Sequence, residues 1–115
     1  MNTFTLDQII AIKQEAILAA QQAASDLESK FQGNSNFYGS CGFAWLTIYG
    51  IKGNTKLGKI MAKAGITRAW DKTLQIWNPS GSHTQNIDVK EAGAQAAAGI
   101  FQKYGFKAFA GSRLD

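Results

Sequence analysis

The chain of 115 residues has twelve Lys and Arg against eight Asp and Glu, a net charge of +4, and 45% of its residues are hydrophobic. That length and composition suit one globular domain and exclude a disordered or collagen-like chain. One cysteine excludes an internal disulfide. The absence of a basic N-terminal segment and of any apolar run near ~20 residues predicts neither a signal peptide nor a membrane partner, and therefore a cytoplasmic location.

The first predicted element is a long helix over residues 6–32. Thr5 and Gln8 have the spacing of a capping box, and Gly33 is a typical residue just after a helix C-terminus. An alanine-rich apolar seam of near-heptad spacing runs along it. The seam comprises Leu6, Ile10, Ile17, Ala20, Ala24, Leu27 and Phe31. The helix either packs along the whole domain or overhangs it and pairs with a second copy of the chain.

Three strands and two helices are predicted in the remainder. The strands cover residues 43–49, 74–77 and 106–110; the helices follow a cap at Asn54 or Thr55 and a cap at Asp88. The first strand is apolar on both faces, so we expect it to be central and covered on both sides. Gly93 and Gly99 weaken the last helix, which predicts close packing at both positions.

The fold class predicted from this order is α+β, a small α/β domain of residues 1–115. The long helix (residues 1–32) precedes a β-α-β-α-β body (residues 33–115), and helices pack against a three-stranded sheet. Strand–helix–strand units favour right-handed crossovers, which would make neighbouring strands parallel.

Charge is unevenly distributed along the chain. Residues 1–32 have two lysines and four acids, a net −2, whereas residues 33–115 have ten basic and four acidic residues, a net +6. The densest basic segment, residues 52–72, contains six Lys and Arg against Asp71 alone. Such a surface attracts anions, nucleic acid included, although solvated basic helix faces are also common.

Two motifs come close to catalytic patterns without completing them. Residues 53–60 match a phosphate-binding P-loop except at Ile60, where a hydroxyl for Mg²⁺ is required. Leu57 is also needed on the apolar face of a helix there, so only a looser phosphate contact at the helix N-terminus remains. Cys41 and His83 would form a nucleophile and its base only if the fold joined them. We predict no catalytic residue, metal ligand or cofactor.

Polar and aromatic residues near strand ends are the candidate ligand contacts. Trp70, between Arg68 and Lys72, is the candidate for stacking on a base. If the second and third strands were parallel neighbours, the turns after them would meet. The predicted ligand-binding residues are Lys56, Lys59, Arg68, Trp70, Asn78, Ser80 and Arg113. The alternative is that these are ordinary turn and surface residues.

Five segments resemble a family of small proteins encoded by tailed bacteriophages. They are residues 38–45 (YGSCGFAW), 53–59 (GNTKLGK), 77–80 (WNPS), 85–94 (QNIDVKEAGA) and 110–115 (AGSRLD). The resemblance covers about residues 35–115 and leaves most of the long helix outside. It implies a phage origin and a location in the host cytoplasm, and it supplies no activity and no catalytic residues.

Two functions follow as hypotheses from these observations. The first is a non-enzymatic binding module for an anionic ligand, either nucleic acid, a nucleotide or a phosphorylated small molecule. The alternative is a protein-interaction or homo-oligomerisation module that uses the alanine-rich N-terminal helix. An enzyme built on Cys41 and His83 is the third possibility.

Overall fold

The computed structural model describes residues 3–31, 42–82 and 86–114. The elements in chain order are α1 (Leu6–Phe31), β1 (Gly42–Tyr49), α2 (Lys56–Lys63), β2 (Thr67–Arg68), β3 (Leu74–Trp77), α3 (Ile87–Lys103) and β4 (Lys107–Leu114). Cys41 and His83 lie outside the described residues, so their pairing stays a hypothesis. Across the described ranges, no helix is both long and apolar enough to cross a bilayer.

Two of the three helices begin at the predicted caps. The Thr5 amide donates to Gln8 Oε1 at 2.8 Å and the Gln8 amide donates to Thr5 Oγ1 at 3.2 Å, which completes the capping box of α1. Thr55 caps α2 by accepting from the Gly58 amide at 3.0 Å. The predicted cap of α3 is wrong, because Asn86, not Asp88, accepts from the first amides of that helix.

The sheet has four strands instead of the predicted three. Its order is β2-β3-β1-β4, and every neighbouring pair is antiparallel. The additional strand, β2, contains only Thr67 and Arg68, both exposed, so it leaves no hydrophobic period in the sequence. β3 and β4 are not neighbours, because β1 lies between them, so the parallel pairing considered for the second and third strands does not occur. The predicted β-α-β-α-β order of three strands is inexact, while the α+β class is confirmed.

β4 is longer than predicted and includes the residues expected to form a terminal turn. Gly111 pairs with Trp45, Ser112 with Ala44, and Arg113 with Phe43. Arg113 therefore lies within a strand, beside β1, and not in a turn beyond the sheet. Alternation continues through this segment, but the residues that point toward the helices include Ala108, Ala110 and Ser112, which carry little hydrophobic signal.

The helices form two layers on one side of the sheet. α3 packs on β1 and β4, and α1 packs along α3. The buried side of α1 consists of Ile9, Ile12, Ala16, Ala20 and Ala24. The predicted seam was correct at Ala20 and Ala24, but Ile10 and Ile17 are only partly buried. A strict heptad drifts by about 20° per repeat from a straight helix, which explains the offset at the other positions.

The two glycines of α3 differ in their surroundings. A Cβ at position 93 would lie 2.8 Å from the Ser80 Cβ and 3.2 Å from the Ala20 carbonyl oxygen. Gly93 therefore permits the close approach predicted for it, between α1 and the turn after β3. Nothing lies within 4 Å of a Cβ at Gly99, which is exposed, so the same prediction is wrong there.

β1 is central in the sheet, as predicted, but only one of its faces is covered. Ala44, Leu46 and Ile48 point toward the helices and are at most 1% exposed. Phe43 and Tyr49 point the other way and are 39% and 47% exposed. The prediction that β1 is buried on both sides is therefore wrong, and the uncovered side holds large aromatic residues.

Candidate functional site

The uncovered side of the sheet collects most of the exposed aromatic surface of the described chain. We define this open face by the residues that alternate away from the helices on all four strands. They are Phe43, Trp45, Thr47, Tyr49, Thr67, Gln75, Trp77, Lys107, Phe109, Gly111 and Arg113. Strand spacings of about 4.8 Å and a rise of about 3.3 Å per residue make its aromatic part about 20 Å long and about 10 Å wide.

The aromatic rings of the open face form two cross-strand pairs. Trp45 and Trp77 have ring centroids 4.9 Å apart, and Tyr49 and Phe109 have centroids 5.9 Å apart. Trp77 and Phe109 remain 49% and 55% exposed despite these contacts. Each ring therefore exposes part of its surface to solvent, while the other ring of the pair restricts its rotation.

The orientation of the tryptophan pair is set by the residues around it. A Cβ at Gly111 would lie 2.5 Å from Trp45 Nε1, so the indole of Trp45 lies directly over that glycine. The Trp77 Nε1 donates to Gln75 Oε1 at 2.9 Å on the same strand. These contacts hold both rings in fixed positions on the sheet.

Cations flank the rings. The Arg113 guanidinium lies 5.5 Å from the centroid of the Phe43 ring, and Lys90 Nζ lies 5.6 Å from the same centroid. Lys107 pairs with Tyr49 at the other end of the open face. No Asp or Glu occurs among the described residues that form this face. It therefore combines aromatic stacking surface with positive charge.

Four of the predicted ligand residues lie at the α2 side of the molecule. Lys56 and Lys59 are exposed on α2. Arg68 lies in β2, and its Nη1 donates to the carbonyls of Ile51 and Lys72, at 2.9 and 2.6 Å. Trp70, in the β2–β3 hairpin, is 96% exposed, as expected of a stacking residue without a partner in the chain.

Asn78 and Ser80 are occupied by the turn that they form. Asn78 has a positive φ of 44°, and its Nδ2 donates to the Ser82 carbonyl at 3.1 Å. Ser80 is 6% exposed, and its Oγ accepts from the Ser82 amide at 3.2 Å. Their hydrogen bonds and burial support the alternative interpretation of this segment, an ordinary turn.

The predicted ligand residues do not form one cluster. Arg113 lies on the open face opposite Phe43, at the end of the sheet farthest from the β2–β3 hairpin. β1 separates it from the turn of Asn78 and Ser80, because β3 and β4 flank that strand. Of the seven residues, Arg113 alone belongs to the open face.

The aromatic residues of the open face were missed as site residues. The expectation that β1 is covered on both sides places Trp45 in the core, because it alternates with Phe43 and Tyr49 on one face of that apolar strand. The sequence of β4 could have indicated which side of the sheet faces solvent, because Lys107, Phe109 and Arg113 alternate with Ala108 and Ala110. Charged residues at the same period as the aromatic ring indicate the solvent side.

No group of three or more His, Cys, Asp and Glu that would hold a metal ion is found in the part of the chain that the structure describes. No protein-family model, curated protein or solved structure matches this chain. The resemblance to phage proteins accordingly stays a prediction, and the site is interpreted from its own chemistry.

Proposed function

We propose that this chain is a non-enzymatic binding module for single-stranded nucleic acid, which it binds on the open face of its sheet. The observation that carries the proposal is the pair of exposed aromatic clusters, Trp45 with Trp77 and Tyr49 with Phe109, flanked by cations. Aromatic rings on a four-stranded sheet stack on unpaired bases in several nucleic-acid-binding folds. Among the anionic ligands predicted from the charge, the proposal therefore selects single-stranded nucleic acid.

Charge favours nucleic acid over a second copy of the chain. Two copies joined through their open faces would bury Lys107 and Arg113 of each, with no carboxylate of the described open face to pair them. Burying unpaired charges costs several kcal/mol per ion. A polyanion instead pairs with these cations and releases its own counterions.

A single strand fits this surface better than a duplex. Bases in a duplex are stacked on each other and present only their edges, whereas the open face offers ring surfaces. The two ring pairs lie about 7 to 13 Å apart along the strands, given a rise of about 3.3 Å per residue. Successive bases of an extended strand could therefore use both.

The alternative hypothesis, self-association through α1, has less support. The alanine-rich side of α1 is buried on α3 of the same chain, with Ala16 and Ala20 fully buried. Among the described side chains of α1, Leu18 is the one large apolar residue that is exposed, at 65%. We therefore favour the open face as the binding surface.

The proposal is tested by fluorescence anisotropy with a labelled single-stranded oligonucleotide. We expect Trp77→Ala and Phe109→Ala each to weaken binding by about 1–3 kcal/mol, or roughly 5- to 150-fold, because each removes a stacking surface. Leu18→Ala is the matched control, since it removes an exposed apolar side chain from α1 on the other side of the molecule. Circular dichroism checks that each variant is folded.

Two outcomes would contradict the open face as a nucleic-acid site, and a third would contradict its preference for a single strand. One is parental affinity in folded Trp77→Ala and Phe109→Ala variants. The other is a ligand-free dimer in native mass spectrometry that Phe109→Lys dissociates, which would make the open face an interface between copies. A duplex of the same sequence that binds as tightly as the single strand would refute the stacking mechanism while leaving the charge attraction.

A further inference from the structure

A basic cleft lies beyond the end of the sheet, outside the open face. Its volume is about 670 Å³, and its walls are the turn after β1 (residues 50–54) and the tip of the β2–β3 hairpin. Lys52, Arg68 and Lys72 line it, together with Asp71. The segment that the sequence marked as most basic, residues 52–72, supplies all three cations.

The walls of this cleft are fixed in position by hydrogen bonds and tight packing. Arg68 joins them, because its Nη1 donates both to the Ile51 carbonyl in one wall and to the Lys72 carbonyl in the other. Gly58 of α2 lies against the Lys52 carbonyl so closely that a Cβ there would be 2.1 Å from it. The cleft is therefore preorganised, which lowers the entropic cost of binding.

The balance of charge in the cleft is positive. Asp71 is the one carboxylate among the described residues that line it, and it accepts from the Thr73 amide and hydroxyl at 3.1 and 2.6 Å. Those hydrogen bonds lower the pKa of Asp71, so it is ionised at neutral pH and offsets one cation of three. Within the described chain, neither Lys52 nor Lys72 has an ion pair.

The backbone at Lys72 has a conformation that few side chains adopt. Its φ is +71°, in the left-handed region that glycine occupies more readily. The Lys72 amide donates to the Ala69 carbonyl at 2.9 Å, and its carbonyl accepts from Arg68, so the hairpin holds it there. A lysine at this position places a cation at the cleft where a tight turn would ordinarily favour glycine or asparagine.

The cleft and the open face are adjacent along the chain at two points. Tyr49, at the end of the open face, directly precedes Gly50 in the wall of the cleft. On the other side, Thr73 in the cleft directly precedes β3, whose Gln75 and Trp77 belong to the open face. A strand stacked on Tyr49 and Phe109 would reach the cleft by passing around the end of β1, because Arg68 pairs with the buried Leu74 and lies on the helix side of the sheet.

We infer that this cleft is a phosphate-binding subsite for the nucleic-acid strand as it leaves the open face. The inference rests on the proposed function and adds the path that the nucleic-acid strand follows. Its bases stack on the sheet, and the neighbouring phosphodiesters bind between Lys52 and Lys72. Phosphate contacts of this kind are made by point charges and position the strand without reading its sequence.

The test combines two oligonucleotide lengths with matched charge variants. Single strands of about 4 and about 12 nucleotides lie within the range of site sizes of single-strand-binding folds. Lys52→Ala/Lys72→Ala removes the cleft cations. Lys30→Ala/Lys63→Ala removes the same net charge from the last turns of α1 and α2. Anisotropy titrations at several salt concentrations are run with each variant and with Trp77→Ala.

We expect the cleft variant to bind the short strand like its charge control and to bind the long strand at least about 10-fold more weakly. Its salt slope for the long strand should fall by about 1.4, since each phosphate contact on a single strand contributes about 0.7. Methylphosphonate linkages at one end of the long strand should reproduce the loss, because they remove the phosphate charge.

Two results would overturn the inference, and they separate it from the proposed function. If the cleft variant and the charge control bind the long strand equally, the cleft is not a subsite, while a loss in Trp77→Ala still supports the open face. If Trp77→Ala binds both lengths like the parent, the proposed function is wrong. If only the cleft variant then loses affinity for the long strand, the path from the open face to the cleft is disproved.

Discussion

At the residue scale, Gly93 and Gly99 show how one residue type in one helix has two different roles. Both lie inside α3 and both lower its helix propensity by the same mechanism. Gly93 is buried against Ser80 and Ala20, whereas Gly99 is exposed with open space beside it. The sequence could not separate them, because the packing of α1 decides which side of α3 is crowded.

The two glycines form a matched pair for a stability experiment. Gly93→Ala should lower the free energy of unfolding by about 1–3 kcal/mol, because the new Cβ would overlap Ser80. Gly99→Ala should raise it by about 0.5–1 kcal/mol through higher helix propensity. Urea unfolding measures both. A stabilised Gly93→Ala variant would contradict the close packing of α1, α3 and the turn after β3.

Glu15 makes a polar contact between α1 and α3 that depends on pH. Lys103 Nζ donates to Glu15 Oε2, and the Tyr104 hydroxyl donates to Glu15 Oε1 at 2.6 Å. The hydrogen bond from Lys103, and then that from Tyr104, lower the pKa of Glu15 below its usual 4.5. A carboxyl group whose pKa is lower in the folded state contributes stability above its unfolded-state pKa. That contribution is lost as pH falls through the folded-state pKa.

Glu15→Gln should therefore be less stable than the parent at about pH 7, and the difference should disappear as pH falls through the lowered pKa of Glu15. The same hydrogen bond raises the pKa of Lys103, so its contribution is also lost as pH rises through that pKa, above 10.5. Glu28→Gln, on the exposed side of α1, is the control. A constant difference between Glu15→Gln and parent across acidic pH would argue against the contact.

At the element scale, α1 was predicted with nearly the right bounds, but its partner was not. Capping chemistry is local, so Thr5 and Gln8 were enough to locate the start of the helix. Which side of α1 is buried depends on α3, about sixty residues later in the chain. The alanines permit a close approach, but they do not say whether another helix of the same chain or a second copy supplies the contact.

The contact between α1 and α3 is tested by enlarging one of its alanines. Ala20→Leu should lower the free energy of unfolding by about 1–3 kcal/mol, because Ala20 is fully buried and its carbonyl lies beside Gly93. Ala11→Leu, at an exposed position of the same helix, should change it by less than about 0.5 kcal/mol. Equal effects of the two substitutions would mean that α1 does not pack as described.

For β1, the bounds and the central position were predicted, but the exposure of its two faces was not. Its bounds and its central position followed from its apolar composition. Whether both faces are covered depends on where the helices lie, and α1, α2 and α3 all pack on the side of Leu46 and Ile48. An aromatic strand with one open face has the same composition as one buried on both sides.

At the scale of the whole molecule, the acidic helix α1 and the open face lie on opposite sides of the sheet. α1, in the acidic N-terminal segment, lies on α3. The open face has Lys107 and Arg113 without a described carboxylate, whereas Lys103 on the helix side is paired with Glu15. A molecule with this distribution attracts a polyanion to one side, which raises the rate of productive encounter.

The charge distribution predicts a salt-dependent association rate. Lys107→Ala/Arg113→Ala should slow association of a single-stranded oligonucleotide more than Lys30→Ala/Lys63→Ala does, and the difference should shrink as ionic strength rises. Stopped-flow fluorescence, with Trp45 and Trp77 as reporters in a Trp70→Phe background, measures the rate. Equal association rates for the two double variants at low salt would rule out steering toward the open face.

The sequence by itself determined features that depend on neighbouring residues: the cap at Thr5, the extent of α1, the strand from Leu74 to Trp77, and the excess of positive charge after residue 33. It limited the cap of α2 to Asn54 or Thr55. Only the tertiary structure decided the strand order and the side on which the helices pack. The reason is physical. Hydrogen-bonded caps and periodicity act over a few residues, whereas exposure of Trp77 and Phe109 is set by segments that are distant in the chain, and the proposed function depends on that exposure.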